Sequence, residues 1–140
     1  MVILIDTNVI LDCLISRKPF TAVAESILRF CFEEKCKGYI AAHSVTNIFY
    51  ITRKYFSTAD RKKMLIGLCE FIEIAAIRKK QVIDALLNEN FADLEDRLQV
   101  ECASEINADY IITRNISDFK DSPVPAILPE DFLEKIGADK

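Results

Sequence analysis

A short apolar run near the start of the chain constrains the fold more than any other feature. Residues 2–5 read Val-Ile-Leu-Ile, and a carboxylate, Asp6, follows them directly. A continuous run of branched apolar side chains has no polar face, so it predicts a strand buried on both sides of a sheet. After Asp6 the apolar residues recur at helical spacing, as Val9, Ile10 and Cys13 do. A buried strand that leads directly into a helix is typical of an α/β protein.

The same alternation continues along the chain. Four further runs predict strands, at residues 39–42, 74–77, 110–112 and 125–128. Helical spacing separates them, with Ser44 as a helix cap, Ser57 or Thr58 opening another helix, and Asp93 as an N-cap. We therefore predict a three-layer α/β/α sandwich with a mainly parallel central sheet of four to five strands. The first strand should lie near its centre, and the last, bracketed by prolines, at an edge.

Length and composition limit the remaining classes of protein. With 140 residues and 51% hydrophobic side chains, the chain can bury one core, so we expect a single domain over residues 1–140. The N-terminus lacks a basic leader, and the longest charge-free stretch, residues 39–52, is too short and polar to span a bilayer. A cytoplasmic protein without membrane contact is expected. Five cysteines without a Cys-x-x-Cys pair, and one histidine, argue against a zinc site.

The basic residues allow two interpretations. The net charge of −4 argues against a protein that binds nucleic acid through bulk charge alone. The basic side chains nevertheless come in groups, at residues 53–54, 61–63 and 78–80. Such groups are either solvated helix faces and ends, or a phosphate-contacting rim around an acidic centre.

Polar side chains gather where the predicted strands end. Ligands of open α/β sheets bind beyond the carboxyl ends of the strands, and a right-handed crossover brings the start of the preceding helix to the same edge. The segments that meet there are Asp6-Thr7-Asn8, His43-Ser44, Asp93-Leu94-Glu95-Asp96 and Thr113-Arg114-Asn115, with Asp118 one turn further on. Carboxylates from three separated parts of the chain are therefore expected at one rim.

Clustered carboxylates favour a metal centre. They repel one another, and each raises the pKa of its neighbours unless a cation neutralises them. Mg²⁺ and Mn²⁺ prefer carboxylate and water oxygens, so either ion would relieve this repulsion. A bound ion of this kind activates water and stabilises charge on a phosphodiester, so the pattern favours phosphodiester hydrolysis with Mg²⁺ or Mn²⁺ as cofactor.

These residues and their order resemble the PIN-domain family, which includes the VapC-type toxins of bacterial and archaeal toxin–antitoxin pairs. The resemblance spans nearly the whole chain, through motifs at residues 5–12, 44–50, 93–99 and 108–119. It implies that Asp6, Asp96 and Asp118 are catalytic metal ligands and that Asn115 acts beside them. It also implies an endoribonuclease with an RNA substrate and an antitoxin protein as partner.

The second motif departs from the family at Asn47, because many members carry a glutamate there. An amide oxygen can ligate a metal or hold a bound water, but it contributes no charge and cannot act as a base. Metal affinity should therefore be lower than in a glutamate version. We expect Asn47, Asp93, Thr7, Ser44 and Thr113 either to support the three carboxylates or to ligate the ion.

The site residues also have structural interpretations. Asp6 could be a strand-end turn residue, and Asp96, in the first turn of a helix, could support the helix start through the dipole. Asn115 and Asp118 could build a turn. His43 could touch substrate or simply occupy a helix start.

Three functions remain open. The first is a metal-dependent endoribonuclease, the toxin of a toxin–antitoxin pair, in which exposed Phe and Tyr side chains would suit a homodimer. The second is a PIN-like RNA- or protein-binding module with little or no cleavage, motivated by Asn47. The third, a haloacid-dehalogenase-like phosphotransfer domain, is disfavoured because that family's motif expects a second aspartate where Asn8 stands.

Overall fold

A parallel sheet of five strands organises the protein in the computed structural model, which describes residues 1–90 and 93–138. The strands are β1 (Val2–Ile5), β2 (Lys37–Ala41), β3 (Glu73–Ala75), β4 (Tyr110–Ile112) and β5 (Ala126–Ile127). Their order in the sheet is β3-β2-β1-β4-β5, and every neighbouring pair is parallel. The first strand is therefore central and β5 is an edge strand, as predicted.

Helices alternate with the strands along the described chain. They are α1 (Thr7–Leu14), α2 (Thr21–Phe32), α3 (Ala42–Ile51), α4 (Thr58–Leu68), α5 (Lys79–Leu87), α6 (Leu94–Glu105) and α7 (Pro129–Ala138). Short 3-10 helices follow α3 at Thr52–Lys54 and β4 at Ile116–Phe119. None of the described helices has the length and apolar character needed to cross a membrane.

Side chains of β1 point alternately into two apolar cores. Ile3 and Ile5 pack with residues of α1, α2 and α7, whereas Leu4 packs with residues of α6. All three side chains are fully buried, and each such burial stabilises the fold by about 1.5–3 kcal/mol. The sheet therefore has a helical layer on each face, and the predicted three-layer α/β/α sandwich is confirmed.

Three predicted strands have different boundaries in the structure, and one of them, β5, is shortened from residues 125–128 to Ala126–Ile127. β2 begins at Lys37 rather than at residue 39, because Lys37 and Gly38 pair with β1 although the segment is not apolar there. β3 covers Glu73–Ala75 rather than residues 74–77. In each case pairing with a neighbouring strand, and not the apolar pattern, determines where the strand lies.

Two of the predicted helix caps are correct and one is wrong. The Ser57 side chain accepts a hydrogen bond from the backbone N–H of Asp60, and Asp93 accepts one from the backbone N–H of Asp96. Ser44 does not cap α3, because the helix already begins at Ala42 and Ser44 lies buried inside it. A helix that starts directly at the end of β2 leaves no extended residue at position 44.

Gly38 lets α2 approach the sheet closely. A Cβ atom at this position would lie 2.6 Å from Sγ of Cys31 and 2.9 Å from Cδ1 of Ile72. Both of these side chains are buried, so neither can move away without disturbing the core.

We expect Gly38→Ala to destabilise the protein by about 1–3 kcal/mol, because the added methyl group overpacks this contact. Gly67→Ala is the matched control. Nothing lies within 4 Å of a Cβ atom there, and alanine should stabilise α4 by about 0.5–1 kcal/mol. Equilibrium urea denaturation measures both changes, and equal stability of Gly38→Ala and the parent protein would contradict the close approach.

Candidate metal centre

Asp6 stands one residue beyond the carboxyl end of β1. Its backbone N–H donates to the carbonyl of Ile112 at 2.9 Å, so the ladder between β1 and β4 continues to this residue. The side chain is buried and accepts hydrogen bonds from Nε2 of Gln99 at 3.1 Å and from Oγ1 of Thr113 at 2.9 Å. A carboxylate has about four acceptor positions, so these two bonds orient Asp6 and leave room for a ligand.

The start of α6 brings further carboxylates to the same place. Asp93 caps the helix, and its Oδ1 accepts from the backbone N–H of Asp96 at 3.1 Å. The pKa of Asp96 is raised to about 7, first by burial and then by repulsion from Asp93, Asp6 and Asp118. Asp96 therefore lies within electrostatic range of all three neighbours. The structure brings together the acidic groups that the sequence assigned to one rim.

The loop after β4 supplies Asp118. The hydroxyl of Thr113, which donates to Asp6, accepts a bond from the backbone N–H of Asn115 at 3.0 Å. The carbonyl of Asn115 in turn accepts from the backbone N–H of Asp118 at 3.0 Å. Thr113 is buried, whereas Asn115 and Asp118 are exposed. The backbone of Asn115 thus takes part in a turn, and its side chain forms no hydrogen bond to any of the described residues.

A cleft of about 260 Å³ opens beside these residues. Asp93, Asp96 and Asp118 line it, together with Arg97 and Lys120. Asn115 is not among its lining residues. The cleft gives a substrate access to three of the clustered acids from solvent.

Helix α3 closes another side of the site. The buried hydroxyl of Thr7 donates to Oγ of Ser44 at 2.7 Å and joins α1 to α3. Asn47 follows Ser44 by about one helical turn and is half-buried. His43 donates from Nε2 to the carbonyl of Glu95 at 3.1 Å, since a carbonyl can only accept, and burial lowers the pKa of this imidazole. His43 therefore joins α3 to α6.

Gln99 is a site residue that sequence reasoning missed. It holds Asp6 through Nε2, and its own Oε1 is buried without a hydrogen-bond partner in the described structure. An available signal was its spacing, because Gln99 lies three residues after Asp96 and shares a helix face with it. An unpartnered buried oxygen beside an acidic cluster is the kind of group that a cation or its waters can satisfy.

A buried ion pair between Asp12 and Arg114 supports the site, and it was also not predicted from the sequence. Asp12 is 1% exposed and accepts two bonds from Arg114, at 2.7 Å from Nε and 3.1 Å from Nη2. The guanidinium of Arg114 also lies 3.9 Å from the ring centre of Phe20. This bidentate pair holds the loop after β4, with Thr113 and Asn115, against α1.

The donor set suits a hard divalent ion in its chemistry, but the side chains do not enclose one. Among the described residues, no three His, Cys, Asp or Glu side chains are grouped closely enough to hold a metal ion. The available donors are nevertheless oxygens, the atoms that Mg²⁺ and Mn²⁺ prefer. Mg²⁺ usually keeps several waters and needs only one or two protein carboxylates. The residues therefore fit an ion held partly through water.

Asp96 should make the stability of the metal-free protein depend on pH. Because folding raises its pKa from 3.8 to about 7, the folded protein binds this proton more tightly than the unfolded chain does. Its contribution to stability is therefore most favourable below about pH 4 and is lost as the pH rises through about 7. Asp96→Asn should gain thermal stability relative to the parent protein over this range. Melting in EDTA at several pH values measures the difference, and a difference that does not change with pH would contradict the clustering.

Comparison with known proteins places the chain in a family. A family model for the PIN domain matches residues 2–117. Among curated proteins, no sequence matches the chain.

Three solved structures share the fold. VapBC2 from Rickettsia felis, bound to a DNA fragment from their promoter, is 15% identical with a TM-score of 0.64, and the match covers 91% of this chain and 98% of that chain. A toxin–antitoxin complex from Klebsiella pneumoniae is 22% identical with a TM-score of 0.65, and the match covers 90% of this chain and 96% of that chain. FitAB bound to an IR36 DNA fragment is 17% identical with a TM-score of 0.64, and the match covers 91% of this chain and 94% of that chain. At these identities the similarity concerns the fold. The match of the family model over residues 2–117 shows that the chain belongs to the PIN-domain family.

Proposed function

We propose that the chain is a cytoplasmic endoribonuclease that depends on Mg²⁺ or Mn²⁺ and is the toxin of a toxin–antitoxin pair. Residues 1–140 would form one PIN domain. The observation that carries the proposal is the placement of acidic side chains at one edge of a PIN fold. Asp96 and Asp118 line one cleft there, and Gln99, on the same helix as Asp96, donates a hydrogen bond to Asp6. Membership of the PIN-domain family supports nuclease activity.

Three carboxylates would hold the ion, those of Asp6, Asp96 and Asp118. When bound, the ion would lower the pKa of a water and stabilise charge on the phosphodiester. Gln99 and Thr113 fix the orientation of Asp6 from opposite oxygens, so this carboxylate needs no rearrangement on binding.

Other residues at the rim would position the ligands. Asp93 fixes the first turn of α6 and thereby Asp96. The hydroxyls of Thr7 and Ser44 hold α1 beside α3, which carries Asn47. In the proposal, Asn47 holds a water of the ion, and the exposed Asn115 side chain contacts substrate.

The proposed protein partners follow from the comparisons and from exposed apolar side chains. One of the similar structures is a toxin–antitoxin complex from Klebsiella pneumoniae, which supports an antitoxin as the partner. Phe32 and Leu87 are 68% and 73% exposed, and large exposed apolar groups of this kind often lie in protein interfaces. They support both antitoxin binding and a homodimer.

A second candidate function is a PIN-like RNA- or protein-binding module that does not cleave. Two observations favour it. Asn47 removes a negative charge that many family members carry, and the described acidic side chains do not close around a metal position.

Asp6→Asn should abolish RNA cleavage and leave the fold intact. The change removes a charged ligand from the ion that stabilises the transition state, a contribution of several kcal/mol that corresponds to at least about a hundredfold in rate. The asparagine can still pair with Gln99 and Thr113, whose amide and hydroxyl groups both donate and accept. Cleavage of a mixed RNA pool with Mn²⁺, and thermal melting with and without Mn²⁺, measure the two effects.

Glu25→Gln is the control for this experiment, because Glu25 lies on an exposed position of α2 and should not affect cleavage. If Asp6→Asn cleaves like the parent protein, the nuclease proposal is wrong at its centre. If neither protein cleaves RNA, the binding-module function is favoured. If Asp6→Asn melts far below the parent protein in EDTA, Asp6 is mainly structural.

Asn47→Glu should tighten the binding of Mn²⁺, because it restores a charge at the position where many family members carry a glutamate. In the proposed site, this glutamate would bind a water of the ion rather than the ion itself. Groups in such positions commonly change metal affinity by about 10–100-fold. Isothermal titration calorimetry with Mn²⁺ measures the change. Unchanged or weaker binding would indicate that Asn47 does not face the ion.

A further inference from the structure

A basic and aromatic surface covers the end of α3, the following 3-10 helix and the exposed side of α4. Residues 50–66 carry five basic side chains and one acidic one, although the whole chain has a net charge of −4. The basic–aromatic surface is defined here by six exposed side chains, those of Tyr50, Arg53, Lys54, Tyr55, Lys62 and Lys63. Positive charge is therefore concentrated on one part of an acidic protein.

The cations of this surface differ from the third basic group in their ion pairing. Within the described residues, none of its arginine and lysine side chains forms a salt bridge with an acidic group. In the group at residues 78–80, Arg78 lies 2.9 Å from Glu105 and Lys80 lies 2.6 Å from Asp84. In sequence these basic groups look alike. In the structure, two of the three cations at residues 78–80 are paired with carboxylates, whereas the basic–aromatic surface keeps its charge available for a polyanion.

Aromatic rings are part of the same surface. Tyr50 and Tyr55 are 62% and 58% exposed, which is high for large rings. The guanidinium of Arg53 lies 3.7 Å from the ring centre of Tyr50 and donates to its carbonyl at 2.8 Å. A ring and a guanidinium that are already stacked present flat faces on which an unpaired base can stack.

A hydrogen bond from α4 makes the surface continuous. Arg61 donates from Nη1 to the carbonyl of Phe49 at 2.7 Å, and its guanidinium lies 4.2 Å from the ring centre of Phe49. This contact fixes the start of α4, and so the turn that carries Lys62 and Lys63, against the end of α3. The charges and rings are therefore arranged before any ligand binds.

Helix α3 connects this surface to the acidic edge. The helix starts at that edge, where His43 contacts Glu95, and reaches Tyr50 after seven further residues, or about 10 Å. The clustered acids at the edge repel a phosphate backbone in the absence of an ion. Attraction for a nucleic acid must then come from positive charge nearby.

We propose that the basic–aromatic surface binds single-stranded RNA and leads it along α3 to the acidic edge. The lysines and arginines contact phosphates, and Tyr50 and Tyr55 stack on bases. A duplex keeps its bases stacked inside, so exposed rings favour a single strand. The proposal rests on the proposed function, in which RNA is the substrate, but its binding step can be measured without cleavage.

The test is fluorescence anisotropy with a labelled single-stranded RNA of mixed sequence, in EDTA and at several salt concentrations. The double variant Lys62→Gln/Lys63→Gln should weaken binding and reduce the slope of log affinity against log salt by about 1.4, at about 0.7 for each phosphate contact. The matched control Lys79→Gln/Lys80→Gln removes the same charge from the other basic group and should leave affinity and slope unchanged. All four lysines are exposed, so the variants should fold, and circular dichroism checks this.

Tyr50→Ala separates stacking from charge. It should weaken RNA binding about tenfold at every salt concentration, since loss of one stacked base costs about 1–3 kcal/mol. The salt slope should not change, because the variant removes no cation. An unlabelled DNA duplex should compete for the surface less well than the single strand.

Several results would overturn the proposal. If the two lysine double variants lose the same amount of RNA affinity, only the overall charge of the protein matters. If neither variant loses RNA affinity, the RNA binds elsewhere. A duplex that competes as well as the single strand, or normal binding by Tyr50→Ala, would exclude base stacking. If the variants change RNA binding as expected but the parent protein cleaves no RNA in Mn²⁺, only the proposed function is overturned. If the parent protein cleaves RNA but Lys62→Gln/Lys63→Gln binds RNA as the parent does, only the role of this surface is overturned.

Discussion

The register of the central strand determines both the core and the acidic edge. Leu4 of β1 pairs with Tyr39 on one side and with Ile111 on the other. The bond from the Asp6 N–H to the Ile112 carbonyl extends this register to the first residue of the site. A shift of one residue would move Leu4 into the opposite core and turn Asp6 away from its partners. The burial of three adjacent side chains therefore also holds the carboxylate in place.

Neutral donors surround Asp6, and this leaves its negative charge uncompensated. Its two hydrogen-bond partners are an amide and a hydroxyl. The nearby arginines are engaged by other acids, since Arg114 pairs with Asp12 and Arg97 with Glu101 at 2.8 Å. Arginine thus stabilises the surroundings of the site without neutralising the site itself. An arrangement of this kind keeps the edge attractive to a cation.

Most of the fold could be predicted from local sequence patterns, but the long-range polar contacts could not. Strand β1 and the cap at Asp93 were predictable because an apolar run and a capping residue act within a few positions. Gln99 and Arg114 were not, because their partners lie 93 and 102 residues away and a polar residue inside a helix or loop has no local signature. The same limit applied to the basic groups, whose ion pairs decide which charges remain available. The site roles of Asp6, Asp96 and Asp118 stay predictions.

The separation in sequence between Asp6 and its partners affects how the protein is made. Asp6 leaves the ribosome before the hydroxyl that orients it, because that hydroxyl belongs to a residue 107 positions later. Translation at about 5–20 residues per second puts several seconds between the two. A nascent chain that ends before β4 cannot contain the assembled acidic edge. The acidic edge can therefore assemble only after β4 and the residue that follows it, Thr113, have been synthesised.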